Sequence, residues 1–292
     1  MIINLTLVPA DGFQIPVLRQ AFSVACHYRM IREKFEDITR RIWTDINLSS
    51  RYGTLYGEET ITDSILLDLA KQNYLNIRIV QTPKHLEAIQ GTDWEWYVGS
   101  YKYGWIRYAI QAKKLSLKSA SYDSLNHKVG KLQSDDYQIN LLRTFADSNG
   151  AVPLYNFYNY FPSATKADHW QCSKPFDKEL LGWTFTTLKN VTTAINTRGS
   201  RTFNKIHQLK YTLPIRCLFT CPYFKSLYQD QTTIGSTGNF MGESFSKLAA
   251  LPRQFINARE LGILEEFPEE LYNPQINIYP KRIAIIELRD DE

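Results

Sequence analysis

Residues 91–114 read GTDWEWYVGSYKYGWIRYAIQAKK, with Asp93 and Glu95 two apart near the start and Gln111 and Lys113 two apart near the end. Successive side chains of a β-strand point to opposite faces. As strands, the two arms put Asp93 and Glu95 on one face with Trp94 and Trp96 opposite. They also put Arg107, Gln111 and Lys113 on one face, with Ile106, Tyr108, Ile110 and Ala112 opposite. Pairing the arms gathers carboxylates, an amide and an ammonium on one surface, a set that suits phosphodiester hydrolysis. Asp93 is a hard oxygen ligand for Mg2+, an ion that keeps several waters and needs only one or two carboxylates. The ion acidifies a bound water and neutralises phosphoryl charge. Lys113 can orient the attacking water and stabilise the pentavalent charge. Gln111 can hold a water on the ion or leave direct coordination to the Ala112 carbonyl. The competing reading is a surface hairpin with solvated acids, in which Lys113 and Lys114 are an ordinary charged strand end.

The elements that must position these residues follow from periodicity. Residues 17–46 place apolar groups at three- and four-residue intervals without Pro or Gly, which predicts one or two amphipathic helices, followed by a loop over 47–57. Residues 58–73 predict a helix with acids in its first turn, where they suit the helix dipole. Glu58 continues the stripe of Ile61, Ile65 and Leu69, whereas Glu59 is rotated away. Residues 76–82 predict a strand, 83–90 a turn or helical excursion, and 93–98 and 105–115 the two hairpin strands. Residues 122–148 predict a helix interrupted near Gly130, and 151–160 an aromatic strand. In the second half, 164–179 predict a long connection, 184–197 and 201–213 helices, and 215–221 and 282–288 strands.

A chain of 292 residues with 43% hydrophobic and 22% charged residues is long and apolar enough for a proper core, and reads as soluble and globular. A net charge of +4 is too small to imply nucleic acid by itself, so that case must rest on local patches. One such patch is TRGSRTFNKIHQLK, where Arg198, Arg201 and Lys205 form a basic stripe, with His207 and Lys210 beside it, that could follow a phosphate backbone; a solvated helix face is the alternative. Four scattered cysteines, Cys26, Cys172, Cys217 and Cys221, suit a reducing compartment. No basic segment precedes the N-terminal apolar residues, and no apolar run approaches membrane-spanning length, so the expectation is cytoplasmic with no membrane partner. Cys217 and Cys221 in CLFTC predict two buried thiols of a strand; a zinc site would need two further ligands such as His207 or Cys172. GSTGNFMGE lacks the lysine and the preceding strand of a phosphate-binding loop and predicts a flexible loop.

Helix–strand–strand–strand–helix–strand, with Asp93 opening the second strand and Gln111-x-Lys113 on the third, resembles the PD-(D/E)xK, or restriction-endonuclease-like, nuclease superfamily over about residues 57–160. Gln in IQAKK is most similar to the Mrr-type branch. The pattern GEETITD…GTDWEW…IQAKKL…PLYNFYN also resembles an uncharacterised bacterial domain family. The resemblance implies an αβββαβ core over 57–160, an N-terminal helical segment over 1–56 and a C-terminal α/β extension over 161–292 packed on the core. It makes Asp93 the metal-binding acid, Gln111 the occupant of the second acid's position, Lys113 the catalytic lysine and Glu58 (with Glu59 the alternative) the acid of the first helix. Metal ligands would be Asp93, Glu95 and the Ala112 carbonyl. The implied cofactor is Mg2+ or Mn2+ and the implied partner DNA, in a prokaryotic defence setting, with a homodimer left open. Two departures stand: no proline precedes Asp93, and Glu95 is an additional acid that could exchange roles with it. On the second helical region, Tyr122 and Gln138 are expected to pack more readily than to touch substrate. The alternative function is a non-catalytic nucleic-acid- or protein-binding module on a nuclease-derived fold.

Overall fold

The alternation in the aromatic hairpin is realised as two antiparallel strands, β2 (Trp94–Ser100) and β3 (Gly104–Lys114), with Trp94 opposite Ile110 and Glu95 opposite Ala109. The structure, a computed structural model, describes residues 15–71, 76–81, 92–101, 104–128, 137–221, 237–240, 243–246 and 282–288. Strands β1 (Ile77–Gln81), β4 (Val152–Tyr158), β5 (Trp183–Thr187) and β6 (Leu213–Pro214) join β2 and β3 in one sheet. Strands β7 (Thr237–Phe240) and β8 (Glu243–Ser246) form a separate two-stranded pair, and β9 (Arg282–Glu287) returns to the large sheet. The seven-stranded order is β1-β9-β2-β3-β4-β5-β6. Pairing is mixed: β9 runs parallel to β2 and β4 parallel to β3, and the other neighbours are antiparallel. Strands drawn from residues 57–160 and from 161–292 therefore share one sheet.

Helices cover both faces. On one face lie α1 (Ile15–Tyr52) and α2 (Glu58–Ala70), whose Ile31, Phe35, Ile38, Ile42, Ile61 and Ile65 bury against Trp94, Trp96, Tyr108, Ile110 and Trp183. Trp94 stacks on Trp183 at 5.8 Å between ring centroids, and Trp96 meets Trp183 edge-on at 5.6 Å. On the other face lie α3 (Gln138–Asn149), α4 (Leu188–Asn196) and α5 (Phe203–His207), packed on Ala109, Tyr155 and Phe157. The close seat of α1 depends on Gly182, at the end of a 3-10 turn (Lys178–Gly182), where a Cβ would lie 2.3 Å from the Thr39 carbonyl oxygen. The chain is thus a mixed α/β protein built on a seven-stranded mixed sheet flanked by helices. Among the described residues, no helix is long and apolar enough to cross a membrane.

Several expectations are corrected. Helix α1 is one helix and runs through most of the expected loop, ending only where Gly53 takes φ 66°. Residues 122–128 are turn rather than helix, and α3 starts at Gln138, after Tyr137 as its N-terminal flank. Thr184–Thr187 belong to β5, and helix begins only at Leu188, where the Thr187 hydroxyl accepts from the Asn190 amide. Residues 217–220 form a single helical turn, α6 (Cys217–Thr220), in place of the expected strand. In GSTGNFMGE, Thr237–Phe240 form β7, which pairs with β8. The turn expected over 83–90 lies outside the described residues.

His207 belongs to the core, not to a basic face. It is buried on α5, with Nδ1 donating to the Phe203 carbonyl and Nε2 accepting from Thr184 Oγ1, both at 3.0 Å. Burial pushes its pKa down to about 4, opposed by the bond to Phe203. Because this lies below the unfolded value of about 6.5, the unfolded chain takes up the proton first as pH falls. His207 therefore costs no stability above about 6.5, and the loss grows between about 6.5 and 4 to about 3 kcal/mol. Urea denaturation of wild type and His207→Gln at pH 7 and 4.5 is expected to show a shallower loss in the variant. Equal losses would contradict the buried neutral imidazole.

Candidate active site

The C-terminal ends of the parallel strands β3 and β4 lie side by side, with Gln111 opposite Tyr155, Ala112 opposite Asn156 and Lys113 opposite Phe157. Asp93 immediately precedes β2 and is fixed to β3 by its own amide, which donates to the Ile110 carbonyl at 2.9 Å. Its Oδ2 accepts from the Ala112 amide at 2.8 Å and from Gln111 Nε2. Gln111 Nε2 also donates to the Ala112 carbonyl at 3.3 Å. Asp93 Oδ2 and the Ala112 oxygen, two of the expected metal ligands, thus converge on one amide NH2. Gln111 is buried, and its Oε1 has no hydrogen-bond partner among the described residues.

This donor set fits a hard cation. Two oxygens already face a single positively polarised group, and rotation of the Gln111 amide would exchange that group for the unpartnered Oε1. An all-oxygen set with one carboxylate matches what Mg2+ or Mn2+ takes.

Lys113 shares the Gln111 face and is buried, its Nζ donating to Gln138 Oε1 at 2.8 Å. Gln138 opens α3, so that helix sets the direction of the ammonium. Glu58 opens α2 from the other side of the sheet, and its Oε1 accepts from the Lys114 amide at 2.8 Å. Glu58 is half-buried and Glu59 exposed, so Glu58 is the acid that approaches β3. The Lys114 ammonium donates to the Tyr56 carbonyl at 2.6 Å. Glu95 is buried and ion-paired with Arg107, whose pKa burial lowers to about 10, so the guanidinium remains charged at neutral pH. Its charge is engaged within the sheet.

Two residues of β4 were not singled out from the sequence. Tyr155 sits across from Gln111, and its hydroxyl is buried without a partner among the described residues. Burial, then the Asp93 charge, raises its pKa, so the phenol stays a donor. Asn156 is fully buried with both amide atoms unpartnered among the described residues. Asn156 pairs with Ala112 and so faces the side of the sheet opposite Gln111 and Lys113; a polar residue inside the apolar run PLYNFYN is the signal that could have found it. Tyr122, by contrast, is a packing residue: it is buried, and its hydroxyl donates to Asn159 Oδ1 at 2.6 Å.

The basic stripe is rearranged. Helix α5 starts only after Thr202, so Arg201 and Lys205 are not one helical turn apart. Arg198 and Arg201 instead line an open cleft of about 390 Å3 with Ser119, Ser121, Thr197 and Thr202. Ser121 bridges to both Ser116 and Thr202, which ties this cleft to the segment leaving β3 just after Lys114. Lys205 is exposed on α5.

A second cluster lies against α1. Among the described residues, Cys172, Cys217 and Cys221 are the one group of three or more Cys, His, Asp or Glu whose ligand atoms lie within 4.8 Å of one another. Cys217 and Cys221 occupy one face of α6 and the residue after it, and Cys172 comes from the connection between β4 and β5. His207 takes no part, being held by Thr184 and Phe203.

Compared with known proteins, the chain is matched over residues 31–290 by DUF6615, a family of unknown function, and it belongs to that family. No curated protein and no solved structure matches it.

Proposed function

We propose that the chain is a divalent-metal-dependent nuclease with a restriction-endonuclease-like core, hydrolysing phosphodiester bonds in DNA. The observation that carries this reading is the convergence of Asp93 Oδ2 and the Ala112 carbonyl on the Gln111 amide, on the strand that also bears Lys113. Asp93, the Ala112 carbonyl and Gln111 would hold Mg2+ or Mn2+, which when bound supplies charge neutralisation and a more acidic water. Lys113, directed by Gln138, donates to the phosphoryl oxygen on which charge grows. Glu58 anchors the start of α2 to the β3 backbone and so fixes the rim of the site. The water oxygen forms the new bond to phosphorus as one bridging P–O bond breaks. The products are a phosphate monoester and a hydroxyl: one water proton is lost to solvent, and the leaving oxygen takes up a proton from solvent.

Substrate affinity is assigned to Arg198, Arg201 and Lys205, at the cleft beyond the end of β3 and on α5. Backbone neutralisation of this kind is independent of sequence and falls steeply with salt. Arg201→Ala/Lys205→Ala is expected to weaken binding in a gel-shift titration and to flatten its salt dependence, with single-turnover cleavage of bound substrate unchanged. Unaltered affinity would remove this face from the interface.

A second reading has one observation in its favour. The Gln111 amide already donates to Asp93 Oδ2, in the place a metal ion would take, as a non-catalytic binding module on the same fold would allow. Incubation of the full chain with plasmid, linear duplex, single-stranded DNA and RNA, in Mg2+ or Mn2+, separates the two. Cleavage of DNA supports the proposal, cleavage of RNA alone changes the substrate, and binding without cleavage of any of them favours the module.

A further inference from the structure

We propose that Cys172, Cys217 and Cys221 form a three-thiolate site for a single thiophilic metal ion of the Zn2+ class, chemically distinct from the oxygen-lined Asp93 site. All three residues are buried, and their sulfurs lie within 4.8 Å of one another. A Zn–S bond of about 2.3 Å puts sulfurs sharing one ion roughly 3.8–4.0 Å apart, a spacing this cluster reaches with small side-chain rotations. Cys217 and Cys221 are 3.1 Å apart at Sγ, beyond a disulfide bond length and without a covalent link. Their spacing of four residues around a helical turn sets both sulfurs on one side. Cys172 is steered onto them by its neighbours: the Trp170 indole donates to the Lys174 carbonyl at 2.9 Å, and the Ser173 amide lies 3.5 Å from Cys221 Sγ.

The charges around the cluster suit an anionic metal–thiolate centre. Arg216 is buried, with Nη1 2.8 Å from Cys172 Sγ and 3.8 Å from Cys221 Sγ, while its Nε donates to Glu36 Oε1 at 2.6 Å. Glu36 is also ion-paired with Lys174 and Arg32, so three cations surround one carboxylate. Three thiolates around a dication carry one net negative charge, which this positive surplus offsets. Guanidinium and amide donors to the sulfurs are the outer partners that hold metal-bound thiolates in place. Binding releases one proton from each thiol that enters as a thiolate. Three protein ligands leave a fourth position for water or a small exogenous ligand. Soft thiolates select Zn2+ over Mg2+, so the two candidate sites would not compete for one ion.

The test uses the full chain, reduced and stripped of metal, with Co2+ as the probe. Titration is expected to give sulfur-to-cobalt charge-transfer absorption that saturates at one equivalent and is bleached by one equivalent of Zn2+. The same signal is expected in Asp93→Ala and should be lost or strongly weakened in Cys172→Ser, whose substitution lies in a connection and not in a core element. Zn2+ should also raise Tm in wild type and not in Cys172→Ser. Absence of the absorption in wild type, with every thiol counted as reduced, would overturn the proposal. So would a signal that survives in Cys172→Ser.

Discussion

Lys113→Ala is expected to lower single-turnover cleavage by on the order of 10²–10³-fold, with DNA affinity nearly intact. The reason lies in where the ammonium sits. Lys113 is buried and held by Gln138, so it contributes little to long-range attraction of a polyanion, which depends on exposed cations. Its value is confined to the moment when charge grows on the phosphoryl group. Gln138→Ala should produce a smaller loss of the same kind, because it frees the ammonium without removing it. Parallel gel-shift and cleavage measurements on Lys113→Ala decide the matter: undiminished cleavage would remove Lys113 from the chemistry.

Asp93→Ala is expected to abolish Mn2+ binding in calorimetry, and cleavage with it. The substitution also leaves the Ala112 amide without its acceptor, a cost of about 1–3 kcal/mol. Asp93→Asn keeps an acceptor for that amide and removes the charge, so it should fold like wild type and still fail to bind the ion. Comparing the two variants separates loss of fold from loss of ligand. The same Mn2+ affinity in wild type and Asp93→Asn would contradict the role given to Asp93.

How much of this could be read in the sequence depended on whether the contacts were local. Period-two alternation in β2 and β3 placed Trp94 and Trp96 on one face, covered by α1 and α2, and Gln111 and Lys113 on the other, covered by α3, because both strands are set by their own residues. Glu58 was legible only in part: three residues before Ile61, it had to lie on the buried side of α2, but that helix covers the face opposite Gln111 and Lys113 and not theirs, as the expected extra carboxylate would need. The insertion of β9 between β1 and β2 was not legible, since a run such as RIAIIEL states that it is a strand without stating its neighbours. CLFTC misled because a short apolar run reads equally as strand or helical turn. The arrival of Cys172 beside it is a long-range contact with no local sign. Engagement of Glu95 by Arg107 follows from cross-strand geometry that periodicity alone does not rank above a metal site. Arg201 lies off the helix because α5 starts only after Thr202, two residues later than the expected start at 201.

The most direct test of the central claim is plasmid cleavage by the purified chain in Mg2+, in excess chelator, and after Mg2+ is restored, with Asp93→Asn and Lys113→Ala run alongside. The account predicts cleavage by wild type that stops with chelator and returns with Mg2+, none above background in Asp93→Asn under any condition, and cleavage slowed on the order of 10²–10³-fold in Lys113→Ala. Cleavage that persists in Asp93→Asn would contradict the account, as would a wild type that cuts no nucleic acid while binding it.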